Sequence, residues 1–352
     1  MSLMRMPRGS ALDEQRNREI LTHVVRAYIE TGEPVSSRAV ARRQAEPLSP
    51  ATVRNVMADL EEEGYLYQPH TSAGRVPTEA AYRFFVQQIA AQAELSAADR
   101  EWIQRELAAA STPEEVMERA SHVLATVSRG LGIVISPPLA RSVLEHIRFL
   151  ALPDHRVLVV LITRGGMARD KLIRVERPFT QDELDRTADY LNRHYAGWTL
   201  EAIRADLEAK LGHDRERYDR LYANALVLCD PKLLDVDPAR QVYVEGTAQI
   251  VTAPEFADQE HLRALLAAIE ERRRLVELLT SCIESPEPVH IQIGVKEINL
   301  AGEHLSLISA PYGQANQFQG SLGVLGPLRM EYERAITAVA YVARLFGESL
   351  KT

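Results

Sequence analysis

Arg54 and Asn55 lie side by side in the segment SPATVRNVMADLEEEG, and both side-chain types read base edges in DNA. An asparagine amide can pair in bidentate fashion with adenine, and an arginine guanidinium can contact guanine or a phosphate. At 100° per residue, Ala51, Asn55 and Ala58 point away from the apolar stripe of a helix, flanked by Thr52 and Arg54. The alanines keep this face low enough to approach a groove closely. The pattern therefore predicts recognition of a DNA duplex.

Local charge favours the same chemistry. The whole chain of 352 residues carries a net charge of −8, which gives no general reason to bind a polyanion. Residues 36–58, however, hold four arginines against one carboxylate, that of Glu46, for a net charge of +3. These arginines are Arg38, Arg42, Arg43 and Arg54. A nucleic-acid interface is therefore predicted from this segment alone.

A second candidate stretch is PHTSAGRVPT, from Pro69 to Thr78, which has almost nothing apolar to bury. The flanking segments YLYQP and RVPT predict a two-stranded ribbon with a flexible tip. The small residues of the tip, 70–74, would lie against a phosphate backbone or in a minor groove without obstruction. Arg75 is predicted to supply the charge that holds the tip there.

The elements that must position these residues can be predicted from periodicity and caps. Apolar residues four apart predict a helix over 12–31, which Gly32 ends, and a second helix from Ser36 or Ser37 to about residue 44. Ser49 as N-cap and Pro50 at the first helical position begin the third helix, whose first amides are predicted to be open to phosphate. Three helices and a ribbon are the arrangement of a winged helix-turn-helix domain. On pattern alone, structural packing or protein docking remains an alternative.

The rest of the chain predicts an α+β multidomain protein. Helices over 79–130 precede strands over 131–177, three amphipathic helical runs over 181–228 and a strand pair or bent strand at VYVEGTAQIV. A long helix over 258–284, further strands and a final helix over 331–349 follow. This order predicts an α/β domain interrupted by a mainly helical insertion. The insertion's apolar stripes are intramolecular core or, in part, a dimer seam.

Other function classes find little support. The histidines are scattered without an HExxH motif, and neither a GxSxG elbow nor a cofactor fingerprint occurs, so neither an enzyme nor a cofactor is predicted. The two cysteines, Cys229 and Cys282, lie far apart, which suits a reducing compartment. No apolar run approaches the length of a membrane span, so a cytoplasmic protein without a membrane partner is expected.

Three segments carry a family resemblance. REILTHVVRAYIETGEPVSSRAVA with SPATVRNVMADLEEEGYLYQPHTSAGRVPT, and the C-terminal SLISAPYGQANQFQGSLGVLGPLRMEY, resemble the heat-inducible transcription repressor family, HrcA. The resemblance implies a homodimer that binds an inverted-repeat operator of the CIRCE type upstream of chaperone operons. It also implies that a GroEL-type chaperonin keeps the repressor active. At Val56 the sequence departs from the family pattern, which commonly has an acidic residue there. Because Val56 lies on the predicted inner face of the third helix, altered packing is expected there.

The resemblance also implies domains and contact residues. It implies a winged helix over 1–88, a GAF-like domain over 89–177 plus 287–352, and an inserted dimerisation domain over 178–286. A ligand-responsive regulator that senses a small molecule through the GAF-like domain is the alternative function. The predicted DNA-binding residues, to which the residue-level argument adds Arg38 and Ala51, are Arg38, Ser49, Ala51, Thr52, Arg54, Asn55, His70, Thr71, Ser72 and Arg75.

Overall fold

A computed structural model describes most of the chain. The described residues are 15–43, 48–90, 93–136, 142–164, 166, 168–210, 219–230, 242–280, 287–295, 304–314 and 318–349. The helices are α1 (Gln15–Thr31), α2 (Ser37–Arg43), α3 (Pro50–Glu62), α4 (Glu79–Ile89), α5 (Ala97–Ala108), α6 (Pro113–Ser128), α7 (Gln181–Tyr195), α8 (Leu200–Lys210), α9 (Asp219–Leu228), α10 (Thr247–Val251), α11 (Gln259–Glu270), α12 (Arg272–Thr280) and α13 (Tyr332–Ser349). The strands are β1 (Leu66–Tyr67), β2 (Val76–Pro77), β3 (Leu131–Ile135), β4 (Leu144–Leu152), β5 (Arg156–Thr163), β6 (Ala168–Arg174), β7 (Val242–Glu245), β8 (His290–Ile293), β9 (Leu305–Gln314) and β10 (Phe318–Pro327).

The N-terminal part contains the three helices and the ribbon that periodicity predicts. Helices α1, α2 and α3 pack on one another, and β1 pairs with β2 in an antiparallel ribbon. The apolar stripe of α3 is buried, including Val56, which is 5% exposed. Val56 thus lies on the inner face, where an apolar side chain gains free energy from burial. The predicted turn at 45–48 lies largely outside the described residues.

The remaining strands form two separate antiparallel sheets. One has five strands in the order β7-β3-β10-β9-β8, and the other has three strands in the order β4-β5-β6. Helix α6 packs on β3 and helix α13 on β9, so one face of the larger sheet is covered by these two helices. Its other face shares a core with α11 and α12. The chain is therefore a mixed α/β protein with several sheets.

The smaller sheet has a core of its own. Strands β4, β5 and β6 bury their inward side chains against α7, α8 and α9, including Leu191 and Ile203, both fully buried. This core joins residues on both sides of the predicted boundary at 177. The predicted boundary at 286 likewise separates β7 from the sheet to which it belongs. The cores therefore group the described residues between 142 and 230 together, and strand pairing joins β7 to residues 131–135.

Two predicted elements differ in detail. VYVEGTAQIV is one strand followed by a short helix, because Gly246 adopts a φ of 96° that ends β7 and turns the chain. The long helix predicted over 258–284 is two helices separated at Glu271, with residues 281–284 outside the described part. Among the described helices, none is long and apolar enough to cross a membrane.

Candidate nucleic-acid interface

Helix α3 presents one face of its surface to solvent. Its inner face is buried, whereas Ala51, Arg54 and Asn55 are exposed on the outer face. Ser49 precedes the helix in an extended conformation, and its Oγ accepts a hydrogen bond from the amide of Thr52 at 3.0 Å. The Ser49 and Thr52 hydroxyls also lie 2.9 Å apart. Both predicted contact residues thus fix the start of the helix whose outer face carries Arg54 and Asn55.

The first turn of α3 offers fewer open amides than the sequence predicts. Pro50 has no N–H, the amide of Thr52 donates to Ser49 Oγ, and that of Val53 donates to the Ser49 carbonyl at 3.1 Å. Within the described residues this leaves the amide of Ala51 for an outside acceptor. The prediction that the first amides of α3 are open to phosphate is therefore wrong for Thr52, because the Ser49 cap satisfies its amide, and it stays a prediction for Ala51.

Three arginines form an exposed cationic surface. Arg38 and Arg42 lie on α2 and Arg54 on α3, and none of them pairs with a carboxylate in the described part of the chain. Arg43, in contrast, is bound to Glu30 with a distance of 2.6 Å between Nη2 and Oε2. The local charge therefore comes from the three unpaired guanidiniums and not from all four arginines of the segment.

His23 on α1 adds no charge to this surface at neutral pH. Burial, together with the Arg26 guanidinium and more weakly that of Arg43, holds the pKa of His23 below its ordinary value, although Glu19 opposes the shift. A lowered imidazole pKa favours the neutral form.

The tip of the ribbon is a hydrogen-bonded turn with exposed side chains. The Gln68 side-chain amide donates to the carbonyl of Thr71 at 3.0 Å and to that of Ala73 at 2.9 Å. The amide of Ala73 donates to the His70 carbonyl at 2.8 Å. His70, Thr71 and Ser72 are exposed on the outside of this turn. Gln68 thus organises a tip that the sequence predicts to be flexible.

Arg75 does not have the surroundings of a free phosphate ligand. Its Nη2 lies 2.7 Å from Oε2 of Glu61 in the last turn of α3, and its side chain is 18% exposed. On sequence alone Arg75 is predicted to supply its charge to the DNA backbone, with no carboxylate partner. In the structure the two charges meet, because the ribbon folds back across the end of α3.

Sequence reasoning missed Gln68 and Glu61. Gln68 carries a usable signal, since a side-chain amide beside a turn can replace main-chain hydrogen bonds. Glu61 carries none, because its pairing with Arg75 depends on the path of the ribbon and not on helical spacing.

The alternative of a ligand-sensing domain stays a prediction. A cleft of about 360 Å³ is lined at the edge strand β7 and helix α6 by residues that include His122, Glu245, Thr247 and Gln249. Among the described residues, no group of three or more His, Cys, Asp or Glu side chains is placed to hold a metal ion.

Three helices, exposed arginines on two of them and a ribbon beside them are typical of a nucleic-acid-binding regulator. The comparisons with known proteins give the family. The family model described as HrcA protein C terminal domain matches residues 114–336. The heat-inducible transcription repressor HrcA of Geobacter sulfurreducens is 40% identical over 338 residues, which cover 96% of this chain and 98% of the relative. The corresponding repressor of Syntrophobacter fumaroxidans is 36% identical over 339 residues, covering 96% of this chain and 97% of the relative.

The chain belongs to the HrcA family of heat-inducible transcription repressors. This is a family of transcription repressors and not of enzymes, and repression of transcription implies contact with DNA. A solved structure, described as that of a hypothetical protein, matches with a TM-score of 0.63 at 22% identity. The match covers 96% of this chain and 98% of that one, and it supports the fold.

Proposed function

We propose that this chain is a dimeric, sequence-specific repressor that binds an inverted-repeat operator of the CIRCE type upstream of chaperone operons. The observation that carries the proposal is the exposed face of α3, where Arg54 and Asn55 stand beside a cationic α2. An exposed recognition helix with unpaired guanidiniums is the chemistry that reads base edges in a major groove. The proposed contacts are Arg38, Ser49, Ala51, Thr52, Arg54, Asn55, His70, Thr71 and Ser72.

The outer face of the β4-β5-β6 sheet supports a dimer. Strand pairing places Leu150, Leu158 and Leu172 in one row across the three strands. Leu150 and Leu172 are each 46% exposed, and Ile162 on the same face is 37% exposed. An exposed apolar face of this kind is typical of an interface, and two copies related by a two-fold axis would cover it mutually.

The helical stripes, in contrast, are poor candidates for the seam. The apolar residues of α7 and α8 are buried within the chain, including Leu184 and Leu207, both fully buried. We therefore propose the sheet face, and not a helical stripe, as the dimer contact. An inverted repeat requires such two-fold pairing, because each half-site must contact an identical DNA-binding domain.

The domain division belongs to the same proposal. We propose a winged helix-turn-helix over residues 1–90 and a GAF-like domain made of 93–136 with 242–349. The dimerisation insertion would then be 142–230, since these residues share one sheet and one core. The proposed role of a GroEL-type chaperonin as the partner that keeps the repressor active rests on family membership.

The test is a binding experiment on duplex DNA. The chain should bind an inverted-repeat duplex from its own chaperone promoter, and the affinity should fall steeply as salt rises. Asn55→Ala should cost about 1–3 kcal/mol against the base pair that it reads, and little once that pair is changed. Arg105→Ala, which removes an exposed arginine from α5, is the matched control and should bind as the unmodified chain does.

Two outcomes would each contradict a separate part of the proposal. Equal affinity for the operator and a scrambled duplex would remove sequence specificity. Footprints with and without chaperonin should differ in extent or in the repressor concentration that produces them. If they do not, the chaperonin has no part in the proposal, and the proposed binding to the operator still stands.

A further inference from the structure

Arg75 is fixed by its side chain at the end of α3. The ion pair with Glu61 joins two partly buried groups, with side chains 18% and 32% exposed. The Nε of Arg75 is buried and has no hydrogen-bond partner. A phosphate that approached this guanidinium would have to displace a carboxylate at 2.7 Å and reach a group that is largely covered.

The main chain of Arg75 is fixed as well. The Val35 amide donates to the Arg75 carbonyl at 2.8 Å, and the Arg75 amide donates to the Val35 carbonyl at 2.9 Å. This bridge attaches the base of the ribbon to the connection between α1 and α2. Gly74 makes the close approach possible, because a Cβ at this position would collide with the carbonyl of Val35.

The surroundings of the exposed arginines differ from those of Arg75. Arg38 and Arg54 extend into solvent and pair with no carboxylate among the described residues, so a phosphate could meet either without competition. Arg75 differs from both in burial and in partner. Its position suits holding two elements together better than gripping a polyanion.

We propose that Arg75 is a positioning residue: with Glu61 it sets the angle of the ribbon relative to α3, so that the tip residues His70–Ser72 meet the duplex. This inference rests on the proposed function, since it assigns a role within the same DNA interface. The ribbon is thereby held at three places: its base by Val35, its side by Glu61, and its tip by Gln68.

The salt dependence of operator affinity distinguishes a positioning role of Arg75 from a direct contact with phosphate. A lost phosphate contact lowers the slope of log affinity against log salt by about 0.9, since one fewer counterion is released. Arg75→Ala should weaken binding several-fold and leave the slope unchanged. Arg54→Ala, at an unpaired guanidinium, is the reference for a direct contact, and Arg105→Ala is the inert control.

Glu61→Gln should change operator affinity in opposite directions, depending on whether Arg75 positions the ribbon or binds phosphate. If Arg75 positions the ribbon, loss of the carboxylate weakens binding as Arg75→Ala does. If Arg75 grips phosphate, the same change frees its charge and tightens binding. The exchanged double variant, Glu61→Arg with Arg75→Glu, should recover most of the lost affinity, because the ion pair re-forms in reverse.

Hydrogen exchange of the amides over 64–78 provides a readout without DNA. Arg75→Ala and Glu61→Gln should each speed exchange in the ribbon and leave α5 unchanged. A lower salt slope for Arg75→Ala, tighter binding by Glu61→Gln, or unchanged exchange in both variants would overturn the inference. If the unmodified chain shows no operator preference, the proposed function fails, and the exchange result still decides whether the pair holds the ribbon.

Discussion

At the scale of single residues, the start of α3 depends on one hydroxyl. Ser49 Oγ accepts from the Thr52 amide at 3.0 Å, and without it that donor loses its partner. Ser49→Ala should therefore lower the free energy of unfolding by about 1 kcal/mol, as the loss of an N-cap does. The change is measured by urea denaturation at constant m-value.

A second serine cap in the chain supplies the control for that prediction. Ser96 Oγ accepts from the Asp99 amide at 3.0 Å at the start of α5, away from the proposed interface. Ser96→Ala should cost a similar free energy of unfolding and leave operator affinity unchanged, whereas Ser49→Ala should lower both. Equal DNA affinity in the two variants would show that the N-terminus of α3 takes no part in binding.

Asp99 also makes stability depend on acid pH. Its carboxylate accepts two hydrogen bonds from Arg334 of α13, at 2.6 and 3.0 Å, and this pairing holds the pKa of Asp99 below its ordinary value. A lowered carboxyl pKa stabilises the folded chain above the unfolded pKa, about 3.9. That stability is lost as pH falls through the folded value. Asp99→Asn should flatten the acid side of the urea stability profile, and an unchanged profile would refute the link.

At the scale of elements, the ribbon depends on close packing of main chains. Gly74→Ala would place a Cβ against the carbonyl of Val35, so we expect a loss of about 1–3 kcal/mol in the free energy of unfolding. The matched control is Gly347→Ala in α13, where the nearest atoms to a new Cβ are 4.0 Å away. That change should stabilise the chain by about 0.5–1 kcal/mol, because alanine favours a helix interior. Changes of the same sign in both variants would contradict the argument.

The elements also show how much the sequence could predict. Local signals sufficed for α3, because the Ser49–Pro50 start and the apolar spacing of its inner face act within a few residues. Pairings distant in sequence were not predictable: β7 joins β3 from more than a hundred residues away, and Glu61 meets Arg75 through the fold of the ribbon. Periodicity reports which face of an element is buried, but it does not report which partner buries it.

At the scale of the whole molecule, the N-terminal helices share a core with the larger sheet. Phe85 of α4 packs edge-on against Tyr332 of α13, with ring centroids 6.4 Å apart. Arg329, beside α13, pairs with Glu255 at 2.7 Å, and both of these side chains are largely buried. The same cluster of buried residues runs from α1 and α3 to β9, β10 and α13. Helix α3 is thus anchored to the larger sheet by a continuous core.

That continuity predicts coupled unfolding. Phe85→Ala should lower the free energy of unfolding by about 3–5 kcal/mol and reduce hydrogen-exchange protection in both α3 and α13. Phe149→Ala makes the same truncation in the core of the β4-β5-β6 sheet. It should reduce protection in β5 and α7 and leave α3 as it was. Loss of protection confined to α1–α4 in Phe85→Ala would mean that the N-terminal part unfolds alone.

The outer face of the smaller sheet is the proposed contact between the two copies of the chain. Leu172 is 46% exposed at the β6 end of the apolar row, so Leu172→Glu should leave the fold intact and place a charge in the proposed seam. Two such charges facing across a two-fold axis should convert the dimer to monomers in sedimentation equilibrium. Affinity for the inverted repeat should then fall towards that for a single half-site.

Val227→Glu, at a 42% exposed position on α9, is the control and should stay dimeric. A dimeric Leu172→Glu would move the seam to another surface, because no two-fold contact through this row could bury both carboxylates without a large desolvation cost.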